Sequence, residues 1–303
     1  MITQILQAMN EPLLLEPSFG ARLVSVLGRK LLGAKMSGAD LHLELGVPMP
    51  TERPQRERVG KIAVIPIVGV IAHRAQSMGT SIQQIGAMVD RAVADSDVLG
   101  ILYDHSSPGG TPAGVPETAA KIRTAAQIKP SAAIANGQMA SASMWLGAAV
   151  GKGNVWALGS GEGAGSIGVW TAREDWTKFL ENEGIKITEI KAGKFKTEGA
   201  PWTEMTDEEA AFMQARVDEV YKGFLSSMAE DRQDTPANIR AGYGEGRMLS
   251  AKAAKAANLI DRIGTFEEAV DWLAMKATPR KRGAKASTLL REELAMESER
   301  LVG

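Results

Sequence analysis

Cysteine is missing from all 303 positions of the chain. That absence excludes disulfide staples, thiolate nucleophiles and cysteine zinc sites. Histidine is nearly missing as well. His42, His73 and His105 are too few and too scattered in sequence to argue for a metal site. No window approaches the ~20 consecutive apolar residues of a membrane-spanning helix. The opening "MITQILQAMNEPLLLEPSFG" lacks a basic start followed by a long apolar run, and Glu11, Pro12, Glu16 and Pro17 interrupt it early. A cytoplasmic setting is therefore expected, without membrane contact. The 35 Lys and Arg almost balance the 36 Asp and Glu, so no broad basic field points to nucleic acid. No cofactor and no metal are expected.

Hydrophobic residues make up 44% of the chain, enough at this length for one large packed domain with appendages. Residues 1–47 carry helix-like spacing, first Ile2, Ile5, Leu6 and Met9, then Leu23, Val24, Leu27 and Leu31. The Pro-rich, charged stretch 47–60 reads as a linker, so residues 1–60 form an N-terminal extension. A domain over 61–275 follows, and 276–303, which carries "PRKRGAK" (279–285), is a polar C-terminal extension.

Within the domain, strands and helices alternate. "KIAVIPIVGVIA" (61–72) is a strand or strand pair, and Ile82, Ile85, Val89 and Ala92 share one helical face. Strands at 97–104, 131–136 and 154–158 are separated by helices at 115–127 and 141–150. This spacing implies an α/β fold with a mostly parallel sheet and flanking helices. Further helices are expected at 173–183 and 206–232, and two short ones within 249–275. The helix at 206–232 opens on a capping box, Thr206 with Glu209, and is expected to bury Met213, Val217, Val220 and Phe224.

Four segments lie where strands end and helices begin, the position of ligand sites in open α/β sheets. "HSSPGGT" (105–111) contains Gly109 and Gly110 in a turn able to aim N–H groups at an oxyanion, although an ordinary tight turn has the same composition. "QMASASMW" (138–145) sets Ser141 among small residues at a strand-to-helix junction, where the next N–H, of Ala142, can join an oxyanion hole. A helix-capping serine fits the same pattern, and Ser143 is a rival two residues on. "GAGSIGVW" (163–170) places Ser166 in a glycine-rich strand, and "IKAGKFKTEGAPW" (190–202) offers Lys191, Lys194 and Lys196. Three such lysines are usually a solvated surface.

The order and spacing of these four segments, with "KIAVIPIVGVI" before them and "GRMLSAKAAKAANLIDRIG" (246–264) after, resemble the signal peptide peptidase A (protease IV) family. The likeness is to its bacteriophage branch of capsid-assembly proteases related to the lambda head protease, and it spans roughly residues 60–275. The resemblance implies a ClpP/crotonase-type fold and a serine peptidase with a Ser–Lys dyad. It places the nucleophile on Ser141, the general base on Lys196, the lysine-orienting serine on Ser166 and the oxyanion turn on Gly109 and Gly110. The family often has an aromatic residue near Met144 and a threonine where Ala164 stands, so one supporting hydroxyl is absent here. Implied partners are protein or peptide substrates, among them phage scaffold, portal or capsid proteins, and further copies of the chain in a homo-oligomer.

A lysine serves as a base near neutral pH when desolvation or a nearby cation lowers its pKa by several units from ~10.4. Apolar Phe195 and the small residues around Ser141 are candidates for that dry setting, with Lys191 and Lys194 left in water. Three other readings compete. A Ser–His–Asp triad using Asp104 and His105 is disfavoured because the ClpP arrangement puts its histidine after the serine, where this chain has none, and His105 is expected to be a structural residue at a strand end. A crotonase-type acyl-CoA enzyme shares the fold but does not require the Ser141–Ser166–Lys196 set. A non-catalytic assembly scaffold does not require the dyad. Within the family, a cytoplasmic peptide-degrading enzyme is the alternative to a head maturation protease.

Overall fold

Strands buried on both faces read as continuous apolar runs, and three such runs form the centre of this molecule. The computed structural model describes residues 12–31, 33–46, 57–59, 61–74, 79–161, 163–243 and 245–277. In chain order its first elements are β1 (Leu14–Leu15), α1 (Pro17–Leu31), α2 (Gly38–Leu45), β2 (Glu57–Val59), β3 (Ile62–Val68), β4 (Val70–Ala72), β5 (Gly79–Ser81) and α3 (Ile82–Ala94). Next come β6 (Gly100–Ser107), β7 (Gly109–Gly110), α4 (Val115–Ile128), β8 (Ser131–Ala140), α5 (Ala142–Ala148), β9 (Val155–Ala157) and β10 (Gly163–Gly165). The last are α6 (Thr177–Asn182), α7 (Asp207–Arg232), α8 (Pro236–Gly242), β11 (Met248–Leu249), α9 (Ala251–Ala256), β12 (Arg262–Ile263) and α10 (Phe266–Ala277).

The main sheet runs β11-β10-β8-β6-β3-β2, with β9 joining β8 and β12 joining β9. Its β3, β6, β8, β9, β10 and β12 pairings are all parallel, and the end strands β2 and β11 are antiparallel. This is the expected α/β class, a mostly parallel sheet with helices packed against it. One core holds Ile65, Ile101, Tyr103 and Ala133 against Ile85, Ile122, Leu146 and Phe224. Another holds Ile62, Leu102 and Ile134 against Trp156, Val270 and Leu273 of α10. Each side chain of this size contributes about 1.5–3 kcal/mol when fully buried.

A second, small sheet, ordered β1-β7-β4-β5, stands at the C-terminal ends of β3 and β6. The expected strand pair over 61–72 is realised as β3 and β4, with Gly69 between them. Residues 13–16, from the N-terminal extension, are threaded into this second sheet, and α1 and α2 pack over them in a separate apolar cluster.

Two expectations change. Met213, Val217 and Val220 are half-buried rather than buried, because the first half of α7 projects past the core. Apolar burial begins at Phe224, which stacks on Trp145 at 4.7 Å and 4°. The expected 173–183 helix shortens to α6, whose side chains are not buried. Of the linker stretch 47–60, residues 57–59 form β2 along β3. The helical spacing at 2–9 and the tail 279–285 lie outside the described residues.

Candidate active site

β8 ends at Ala140 and α5 begins at Ala142, which leaves Ser141 at the joint with φ 54 and ψ −117. A non-glycine residue holds such a backbone only when its surroundings impose it. Here the constraint is tight packing. Every residue from Met139 to Val150 is buried, and a Cβ on Gly147 of α5 would lie 2.2 Å from Met139 Sδ. The Ser141 N–H donates to Gly165 O at 2.9 Å, and the Ser141 carbonyl accepts from Trp145 N–H at 3.0 Å. Its Oγ is buried and has no hydrogen-bond partner among the described residues. A hydroxyl held at a sharp strand-to-helix turn, uncommitted to any acceptor, has the geometry of a nucleophile.

Ser166 and the twin-glycine turn lie beside it. β8 and β10 run in parallel register with Ala140 beside Gly165, so the next residue on each strand is Ser141 and Ser166. Ser166 is buried and, like Ser141, has a positive φ of 55. The twin-glycine turn approaches from the other side. Gly109 has φ 97, and a Cβ there would lie 2.9 Å from Ser141 Cβ. Gly110 comes so close to β4 that a Cβ would lie 1.7 Å from Ile71 O. Both positions require glycine. The Gly109 N–H donates to Ser107 Oγ at 3.2 Å, and that hydroxyl donates to Gly69 O at 2.6 Å. Ala142 is the first helical residue, whose N–H has no intrahelical acceptor.

Ser107 was not singled out from sequence, whereas His105 was expected to be a structural residue at a strand end. His105 is fully buried in β6, with Nδ1 2.8 Å from Ser143 Oγ on α5, and burial pushes its pKa down to about 3. The neutral ring ties β6 to the helix behind Ser141. Ser143, the rival nucleophile, is thus buried and engaged.

Lys196 is elsewhere. It lies exposed on a strap between α6 and α7, its side chain without a hydrogen bond or ion pair among the described residues, and it makes no hydrogen bond to Ser141 Oγ. Lys191 is held by Glu189 at 2.6 Å and Thr197 at 2.7 Å, and Lys194 by Glu208 at 2.7 Å. Hydrogen bonds from Lys191, then Trp202 and Thr197, keep the Glu189 carboxyl below its ordinary range. Phe195 does not dry Lys196 here: it is half-exposed and lies beneath Lys194 Nζ at 4.7 Å. The strap is tied down at its far end, where Glu209 accepts from Gly199 N–H at 2.7 Å and pairs with Arg173 at 3.1 Å. Only the Thr206 half of the expected capping box forms, because the Glu209 side chain is used in this way.

A cavity of about 530 Å³ opens beside Ser166, lined by Leu15, Gly20, Val24, Val169, Trp170 and Arg247 among others. Among the described residues, no helix is long and apolar enough to cross a membrane.

These features define an α/β protein with a strained serine at a strand–helix elbow, flanked by a twin-glycine turn. Residues 123–279 match peptidase family S49, just over half of the chain, and the chain belongs to that family. It is 30% identical over 318 residues to the head-tail preconnector protein GP5 of Enterobacteria phage P21, covering 99% of this chain and 62% of that protein. It is 29% identical over 289 residues to capsid assembly protease C of Escherichia phage lambda, covering 87% and 65% respectively. The chain thus spans less than two thirds of the length of these relatives. Among solved structures it is similar to a point mutant of ClpP1 from Listeria monocytogenes, at TM-score 0.43 and 14% identity, covering 68% of this chain and 94% of that one.

Proposed function

We propose that the chain is a serine endopeptidase that uses a Ser–Lys dyad in phage head maturation, cleaving scaffold, portal or capsid proteins. The observation that carries this reading is the Ser141 elbow: a positive-φ serine with an unbonded Oγ, beside Gly109 and one register step from Ser166. Membership of the peptidase family and likeness to a protein named as a capsid assembly protease support it. In this reading Ser141 Oγ attacks the scissile carbonyl as Lys196 accepts its proton, forming an acyl-enzyme. The lysine returns that proton to the departing amine, and water then releases the acyl group. Ser166 orients the lysine. The developing oxyanion is met by N–H groups of Gly110 and Ala142, and by Gly109 once Ser107 yields it.

The reading also requires Lys196 to leave water. The strap around it exposes Ile190 almost completely (98%), together with Phe179, Ile185, Phe195 and Met205, an apolar set that a single chain leaves uncovered. Assembly into a homo-oligomer covers that face and brings a lysine to each Ser141. The test is mass spectrometry of candidate scaffold, portal and capsid proteins after incubation with the protein. Discrete new termini that vanish with Ser141→Ala are expected. Intact substrates under assembling conditions would overturn the reading.

A further inference from the structure

Ser141, Ser166, Gly109 and Gly110 are all buried, so something covers the site. The cover is the chain's own segment Leu13–Glu16. On one edge it pairs antiparallel with the twin-glycine turn, Leu14 opposite Gly110 and Leu15 opposite Gly109, and the Glu16 N–H donates to Pro108 O at 2.8 Å. On the other edge Leu13 and Trp170 exchange backbone hydrogen bonds of 2.7 and 3.1 Å, just beyond the strand that carries Ser166. The segment therefore lies as an added strand between the two walls that frame Ser141, the way a peptide is bound by strand addition.

Its side chains alternate accordingly. Leu14 is fully buried in the main core cluster with Met139, Ala142 and Ile167, the residues beside Ser141 and Ser166. Leu13 and Leu15 face the other way, into the cluster built by α1 and α2. The Leu14 carbonyl is the group nearest to a Cβ placed on Gly109. A Cβ on Gly109 would lie 2.1 Å from Leu14 O and 2.9 Å from Ser141 Cβ, so the carbonyl stands within the sum of those distances of the serine's β-carbon. Glu16 then closes the segment. Its carboxylate accepts from Ser18 N–H at 2.8 Å, Ser18 Oγ at 2.6 Å and Phe19 N–H at 2.8 Å, capping α1 immediately after the strand.

We propose that Leu13–Glu16 occupies the substrate groove as an internal inhibitory strand, and that the groove selects an extended segment with a leucine-like side chain beside the nucleophile. This rests on the reading of Ser141 as nucleophile. A substrate must displace the strand, so the free site is a minor state and apparent activity falls in proportion.

The chain's lack of cysteine allows a clean test. Leu13→Cys with Trp170→Cys, on opposed strand residues whose Cα atoms a hydrogen-bonded antiparallel pair holds about 5.5 Å apart, within the range a disulfide spans, locks the strand when oxidised and frees it when reduced. Labelling of Ser141 by a fluorophosphonate, mapped by mass spectrometry, is the readout. The oxidised form is expected to label at least about tenfold more slowly than the reduced form of the same protein. Leu14→Asp is expected to label at least about tenfold faster than wild type, and a synthetic peptide of residues 11–20 to slow that labelling where a scrambled one does not. Equal rates in the two redox states overturn this proposal alone. Absence of Ser141 labelling in every form overturns the nucleophile reading and this proposal with it.

Discussion

From Met139 to Val150 every residue is buried, whereas from Glu181 to Lys196 every residue except Glu189 is exposed. The first stretch carries Ser141 and the second carries Lys196. The serine of the proposed dyad is built into the sheet, where its backbone is imposed by parallel strands, a tightly packed helix and the His105–Ser143 bond. The lysine side is held by polar ties at Glu189 and Glu209 and leaves its apolar side chains in water. In the proposed dyad, one half is thus completed by folding, and the other half needs a further contact.

The largest effect that can break this contrast is at the lysine. Lys196→Arg is expected to lower peptide hydrolysis by at least about 10³-fold, because guanidinium cannot act as a base. Lys191→Arg and Lys194→Arg, which keep their carboxylate partners, are expected to stay within a few-fold of wild type. An active Lys196→Arg protein would remove the dyad.

Next in size is the exposed face. Ile190→Ser with Phe195→Ser is expected to leave the melting temperature of the single chain unchanged, since neither side chain is buried there. Sedimentation is expected to show loss of assembly, with activity falling about tenfold or more. Full activity in a monomeric double variant would show that the strap needs no partner. On the buried side, Gly147→Ala is expected to destabilise the fold by about 1–3 kcal/mol through overpacking against Met139, read by denaturant unfolding. An alanine of equal size at Gly193, where nothing stands within 4 Å, meets no such clash, although its φ of 96 still disfavours a side chain.

A smaller effect concerns His105. Its folded pKa of about 3 lies below the unfolded value near 6.5, so between those values the unfolded chain binds the extra proton. The stability this contributes is present above about pH 6.5 and is lost as pH falls toward 3. His105→Asn is expected to flatten the pH dependence of unfolding in that window. An unchanged slope would mean that the buried imidazole is not its source.

The sheet was legible in the sequence because β3, β6 and β8 are apolar on both faces, and because helices of ordinary spacing separate them. Strand ends were less so. β6 and β8 run on to Ser107 and Ala140, since the sheet continues through polar residues that lead into the site. Ser141, Ser166 and the twin glycines were legible as motifs, and the fold brings those four together. The placement of Lys196 was not, because exposure depends on what covers a loop rather than on its residues. The role of "LLL" at 13–15 was hidden for a similar reason: nothing local distinguishes an apolar triplet that joins a distant glycine turn from the start of a helix. The burial of α7 was misjudged because its apolar stripe continues past the point where the core ends.

The most direct test of the account is the site of covalent modification in the assembled protein after long exposure to a fluorophosphonate. The account predicts a single adduct on Ser141, retained in Ser143→Ala and absent from both Ser141→Ala and Lys196→Arg. An adduct on Ser143, or one on Ser141 that persists in the arginine variant, would contradict it.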